Sequence, residues 1–261
     1  TLFPYTTLFR SVLTTDGFEG GLITDECKSE GVILVSAHAR RGRRRFTIGH
    51  ELGHFLIPTH MPVKDGKFLC SRDDMRVWSA RENDRYARME VEANRFAALL
   101  LLPPARLKAY LGKHRDPSLA HVPALAGDFD VSKEVAARAY AQYKGEAIAT
   151  VVVKDGVVLR SYRHIDFPKI SIANGTPVPK DSMYFHAANG GDELTNIVAN
   201  NAGLWLETMW GQRLPELYEQ VLYQREGYAI VLLWTEKEGQ DDENDDPEEA
   251  MTSKERLKHR S

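Results

Sequence analysis

The stretch Arg45-Phe46-Thr47-Ile48-Gly49-His50-Glu51-Leu52-Gly53-His54-Phe55-Leu56-Ile57 restricts what this chain can fold into more than any other. Its centre, His50 to His54, reads H-E-x-x-H. On a helix, residues four apart lie one above the other on the same face, so His50 and His54 can each turn one ring nitrogen toward a single ion. Glu51 sits one helical step round, within reach of a water on that ion. Two neutral imidazoles suit zinc, and the adjacent carboxylate is placed to take a proton from the water. An amphipathic helix with two incidental histidines would spell the same five letters, so the flanks decide. Leu52, Phe55, Leu56 and Ile57 are apolar and bury the helix, and buried histidines need partners. Gly53 implies close packing, and Pro58 ends the helix.

A catalytic zinc takes three protein ligands and keeps one position open. The third is expected from Met89-Glu90-Val91-Glu92-Ala93-Asn94-Arg95-Phe96-Ala97-Ala98-Leu99-Leu100-Leu101-Leu102, a second helix stopped by Pro103-Pro104. Glu90 and Glu92 cannot both face the ion, because positions two apart point nearly opposite ways. Glu90 shares its face with Ala93, Asn94 and Ala97, small or polar residues that leave room for a site. Glu92 shares its own with Arg95, an arrangement typical of a solvated surface. Glu90 is therefore the expected ligand and Glu92 the alternative. Asn94, one turn on from Glu90, is the expected hydrogen-bond partner of a ligating histidine.

These two segments together carry a resemblance. F-T-I-G-H-E-L-G-H-F followed by E-x-E-A-N-R-F-A-A-L-L-L-P resembles the ImmA/IrrE family of zinc metallopeptidases, closely from Gly31 to about Pro103 and more weakly to about Lys144. The family usually has Ala where Gly49 stands and Met where Leu102 stands, neither of which disturbs ligation. The resemblance implies His50, His54 and Glu90 as zinc ligands and Glu51 as general base. It also implies a zincin-like, gluzincin-type α+β domain, and a specific protein substrate, often a helix-turn-helix repressor encoded nearby and cut under stress.

The remaining chain is read around that core. Thr1 to Ser11 resembles a translated sequencing adapter and is taken as an artefact, with native sequence from about Val12 and a family helix missing ahead of it. Gly20 to Ile23 and Val32 to Ser36 read as strands. The basic run Arg40 to Arg45 reads as a solvated connection, since it lacks the interleaved aromatics of a nucleic-acid site. Thr59 to Arg88 reads as a long polar connection. Within it Cys70 is expected to be a small packed residue rather than an inhibitory ligand beside Asp73 and Asp74, and His60 a surface histidine. Tyr86 and His60 are weak candidates for a donor to an oxyanion.

Val122 to Tyr140 reads helix-turn-helix, with Ser132 capping the second helix. Lys133 and Arg138 are too few cations for the phosphate contacts that dominate DNA affinity, so a packing role is expected. Residues 12–145 thus make the metallopeptidase domain with this helical hairpin. Residues 146–236 make a small α+β domain, with a hairpin turning at Asp155-Gly156, a helix near Leu214 to Leu222 and a strand over Tyr228 to Trp234. His164, Asp166 and His186 have no diagnostic spacing. Residues 237–261 form a charged tail of disordered composition.

A net charge of -3 predicts no general affinity for nucleic acid or anionic membrane, and no apolar run approaches the roughly 18 residues of a membrane span. Two cysteines make no disulfide framework, so a reducing cytoplasm is the expected compartment. The leading expectation is a zinc endopeptidase. The alternatives are a zinc-containing regulator that binds a repressor or DNA without cutting, or the protease-like half of a toxin–antitoxin pair. An intact Glu51 argues for hydrolysis.

Overall fold

The computed structural model describes residues 10–13, 18–62, 67–71, 73–74, 77, 81, 83–186, 194–207 and 213–235. The adapter-like residues 1–9 and the tail 236–261 lie outside them. The chain divides into two compact units, Thr1–Pro104 and Ala105–Ser261. Among the described residues, no helix is long and apolar enough to cross a membrane.

The first unit is a four-stranded sheet and two helices. Strands β1 (Arg10–Leu13), β2 (Phe18–Thr24), β3 (Gly31–Ser36) and β4 (Lys67–Ser71) lie in the order β1-β3-β2-β4. Only the β1–β3 pairing is parallel. β1 starts inside the adapter-like stretch, at Arg10. β4 falls within what reads in the sequence as loop. Its alternation is short, with Phe68 and Cys70 buried and Lys67, Leu69 and Ser71 exposed, and only pairing with β2 makes it a strand.

Helix α1 (Arg41–Leu56) carries the H-E-x-x-H stretch between two packing faces. Ile48, Leu52 and Phe55, spaced for one stripe, pack on the sheet core of Leu22, Ile33, Val35 and Phe68. Gly49 and Gly53 face helix α2 (Arg85–Leu101). A Cβ on Gly53 would stand 3.2 Å from both Ala93 Cα and Phe96 Cβ, and one on Gly49 3.3 Å from Ala97 Cα. The glycines thus serve the helix–helix contact, which sets the distance between the histidines on α1 and the carboxylate on α2. Gly53→Val is expected to overpack this contact by about 1–3 kcal/mol. Each kcal/mol lowers the melting temperature of a unit this size by roughly 4–8 °C, which thermal unfolding measures.

Both helix ends are explained locally. Asp84 caps α2 by accepting from the Ala87 N–H at 2.9 Å. α1 stops at Leu56 because Ile57, restricted by Pro58, turns extended. Lys28 Nζ then donates to the freed carbonyls of His54 (2.7 Å) and Ile57 (2.9 Å). The basic run corrects the reading of a connection. Arg41 to Arg45 form the opening turns of α1, because arginine is a good helix former, and Arg43 pairs with Glu19 at 3.0 Å.

The second unit opens with α3 (Pro104–Leu111), α4 (His121–Phe129) and α5 (Lys133–Tyr143). Asp130 turns through a left-handed conformation, and Ser132 caps α5 by accepting from Val135 N–H at 3.2 Å. An antiparallel sheet follows, ordered β6-β5-β9-β8-β7: β5 (Ala147–Lys154), β6 (Val157–Arg163), β7 (Val198–Asn200), β8 (Leu217–Tyr223) and β9 (Tyr228–Thr235). Asp155 and Gly156 carry the positive φ angles (49° and 77°) that the hairpin turn requires. A short helix, α6 (Met183–His186), precedes β7.

On β5, Ala147, Ala149, Val151 and Val153 face a core around Trp205 and Phe167. Thr150, on the opposite face, donates to the Ala137 carbonyl of α5 at 3.1 Å. Gln220 of β8 accepts from the Leu119 N–H at 2.7 Å. The helical hairpin therefore packs within this second compact unit, which runs from Ala105.

The helix expected near Leu214 to Leu222 is a correction, since Leu217–Tyr223 is strand β8, paired on both sides. Central pairing outweighs the helix propensity of Leu, Glu and Gln. His164 and Asp166 bond to each other across a tight turn (Asp166 N–H to His164 Nδ1, 3.2 Å), and His186 ends α6.

Candidate metal centre

α1 and α2 bring His50, His54 and Glu90 together in the first unit, every one of them buried. The two Nε2 atoms are 3.1 Å apart. Glu90 Oε2 lies 3.2 Å from His50 Nε2, and Glu90 Oε1 lies 3.5 Å from His54 Nε2.

The surrounding hydrogen bonds decide which ring nitrogens carry protons. Asn94 Nδ2 donates to the carbonyls of Asp74 (3.2 Å) and Val77 (2.8 Å), which leaves Oδ1 to accept from His50 Nδ1–H at 2.9 Å. His50 Nε2 therefore points a bare lone pair into the site. Glu92 accepts from His60 Nε2–H at 2.9 Å, so His60 Nδ1 is bare and accepts from His54 Nδ1–H at 3.0 Å. His54 Nε2 is then bare as well. Its ring is also stacked on Phe68, with centroids 4.7 Å apart.

Two bare nitrogens 3.1 Å apart, facing a carboxylate, repel one another unless a cation lies between them. A proton is a poor candidate, because burial pushes the His54 imidazolium down to about 4. Burial also acts to raise Glu90, but the closeness of the His50 and His54 rings outweighs it and lowers its carboxyl to about 2. Glu90 Oε2 receives no hydrogen bond of good geometry despite its closeness to His50. A negative oxygen and two neutral nitrogens, with an oxygen left over, fit a divalent ion. Donors bonded at ~2.0–2.1 Å and spread tetrahedrally stand ~3.3 Å apart, close to the spacings found.

Glu51 is fully buried on the next position of α1, and neither of its oxygens has a hydrogen-bond partner of good geometry. Burial pushes its carboxyl well above the usual range. The Cys70 thiol beside it acts the other way, and the Glu90 and Asp74 carboxylates add to the rise. The phenol of Tyr86 is held above its usual range by partial burial, then by Glu90, Asp74 and Cys70, which places it at the rim of the same site.

Two residues depart from their sequence readings. Cys70 does not pack away from the site: its Sγ lies 3.8 Å from His54 Nε2, and its donor atom joins those of His50, His54 and Glu90 within 4.8 Å of one another. The alternation of β4 turns it inward, a signal too short to read before the strand is known. His60 is not on the surface but fully buried, because the chain turns back after Pro58 and inserts it between His54 and Glu92. Glu92 itself is half exposed and bonds to His60, two shells from the ion site. Asp74 accepts from Ser71 at a turn (N–H 2.8 Å, Oγ–H 2.7 Å).

This geometry predicts an order of metal affinities. Glu90→Gln is expected to weaken binding most, since it removes the only charged donor of the triad. His60→Phe should cost about 10–100-fold by freeing the His54 ring. Glu92→Gln should change little, because an amide oxygen still accepts from His60. Competition titration against a chelator measures all three, and a Glu92→Gln loss as large as that of Glu90→Gln would overturn the assignment.

The family model for Peptidase M78, described as the IrrE N-terminal-like domain, matches residues 15–140. No curated protein matches the chain. Among solved structures, a Mycobacterium tuberculosis transcriptional regulator is similar at 14% identity with a TM-score of 0.44, covering 87% of this chain and 66% of that one. This chain therefore spans just under two thirds of that protein's length.

Proposed function

Residues 15–140 belong to the Peptidase M78 family, and on that footing we propose that the chain is a zinc-dependent endopeptidase acting on a specific protein. The observation that carries the reading is the buried carboxylate of Glu51, held without a hydrogen bond of good geometry beside the His50, His54 and Glu90 donors. A binding module has no use for such a group, which costs stability wherever it lacks a partner. The donor set, two imidazoles and a carboxylate, suits zinc, in a zincin-like arrangement.

When bound, zinc would supply a water acidic near neutral pH and a Lewis acid for the substrate carbonyl. The protein's residues do the rest. Glu51 accepts the proton of the attacking water, its burial raising its proton affinity toward what a base needs. It then passes that proton to the leaving amine. Asn94, and His60 backed by Glu92, hold the two imidazoles in the tautomers that face the ion. Tyr86, near enough to Glu90 and Asp74 for their charges to raise its phenol, is the residue we assign to donate to the developing oxyanion. An extended substrate can pair with the outer edge of β4, which ends the sheet and leads to the site.

The substrate we propose is a helix-turn-helix repressor encoded beside this chain, cut in a stress response or in mobile-element control. Incubating the full chain with that repressor and analysing the products by mass spectrometry should give a few discrete fragments, none of them formed after chelation. An intact repressor alongside cleavage of another protein would keep the peptidase and remove this substrate. Repression relieved with no cleavage at all would favour the regulatory alternative.

A further inference from the structure

We propose that Cys70 is a fourth protein donor to the metal, so that the chain as folded holds a closed, latent site. The proposal rests on the metallopeptidase reading and deepens it. β4 carries Cys70 into the site by its register: Cys70 lies opposite Gly20, and Leu69 opposite Gly21. A Cβ on Gly21 would stand 2.8 Å from the Phe68 carbonyl, so glycine there is what lets β4 approach so closely. Phe68 and Cys70 then point inward together, Phe68 against the His54 ring and Cys70 toward its Nε2.

The sulfur sits where a fourth ligand belongs. A nitrogen and a thiolate sulfur bound tetrahedrally to one zinc stand ~3.6 Å apart, from bonds of ~2.0–2.1 and ~2.3 Å. The observed separation from His54 Nε2 is 3.8 Å. All four donor atoms lie within 4.8 Å of one another and all four residues are buried. The site is more than a cysteine that happens to be near: both oxygens of Glu51 and Oε2 of Glu90 are buried there without a hydrogen bond of good geometry.

Cys70 also neighbours Glu51, the base that would take the proton of the attacking water. Ligation requires the thiolate. The thiol gives its proton to the Glu51 carboxylate as the sulfur–metal bond forms, which occupies the position and the base together. Four protein donors make a closed site, whereas catalysis needs one position open. Hydrolysis then requires the sulfur to leave and water to replace it, so the native chain cleaves slowly, through the minor fraction of sites that are open.

The test uses the full chain loaded with cobalt(II) in place of zinc. A thiolate ligand to cobalt gives a strong near-ultraviolet charge-transfer band that nitrogen and oxygen ligands do not. The chain has two cysteines, and Cys27 is exposed. The native chain and Cys27→Ala should show the band. Cys70→Ala and Cys70→Ser should lose it while still taking up one cobalt per chain when the metal is supplied at saturating concentration. A native chain that binds cobalt without the band overturns the proposal and leaves the metallopeptidase reading intact. A band lost with Cys27 but kept without Cys70 also overturns it. A native chain that takes up no cobalt removes the underlying reading, and the proposal with it. Should the Cys70 variants fail to fold, the native and Cys27→Ala spectra alone decide which sulfur is bound.

Discussion

Glu51→Gln is expected to keep the metal and the fold while slowing peptide hydrolysis on the order of 10²–10⁴-fold, the usual worth of a positioned general base. The amide has nearly the shape of the carboxylate, and Glu51 is not among the donors that converge on the ion site. What the amide lacks is a site to take a proton. The substitution also replaces a buried acid that has no partner of good geometry, so the variant should be no less stable than the native chain. Fragment formation from the substrate, measured against metal content in the same preparation, separates chemistry from folding. If Glu51→Gln cleaves at the native rate, the base lies elsewhere. If it relieves repression in cells as well as the native chain does, a binding function is the better account.

His50→Ala or His54→Ala is expected to abolish stoichiometric metal. Sharing the ~10–16 kcal/mol of a structural zinc site equally over four donors assigns each about 2.5–4 kcal/mol, or on the order of 10²–10³-fold in affinity. The remaining donors suffer as well. Without His54, His60 loses the ring it positions, and without His50, Asn94 keeps its backbone bonds but has no imidazole to orient. Metal analysis of the purified variants, by elemental emission against protein concentration, reads the loss directly. Full occupancy in both variants would place the metal elsewhere in the molecule.

The centre of the site was legible because helical spacing is local. His50, Glu51 and His54 lie within one turn and a half of α1, and Glu90 and Asn94 within the same span of α2, so neighbouring letters imply neighbouring side chains. The preference for Glu90 over Glu92 came from the size of the residues on each face; the structure brings Glu90 to the histidines and leaves Glu92 half exposed, and the metal titrations decide between them. What escaped reading depends on contacts between distant segments. Cys70 faces the site only because β4 pairs with β2, and His60 is buried only because the chain folds back after Pro58. The run Leu217–Tyr223 mixes helix-favouring and strand-favouring residues, and its place between β7 and β9 decides the outcome. The arginine run misleads for the opposite reason, since its charges look solvated whether the backbone is loop or helix.

If this chain is a zinc peptidase, its hydrolysis depends on the metal. Cys70→Ala protein is suited to the test, because its site stays open whatever the thiol does in the native chain. Stripped with a chelator and given zinc back stepwise, it should recover peptide-bond cleavage in proportion to the metal added. Recovery should saturate at about one ion per chain, the stoichiometry of a single three-ligand catalytic site. Cleavage that is as fast in the stripped protein as in the loaded one would contradict the account.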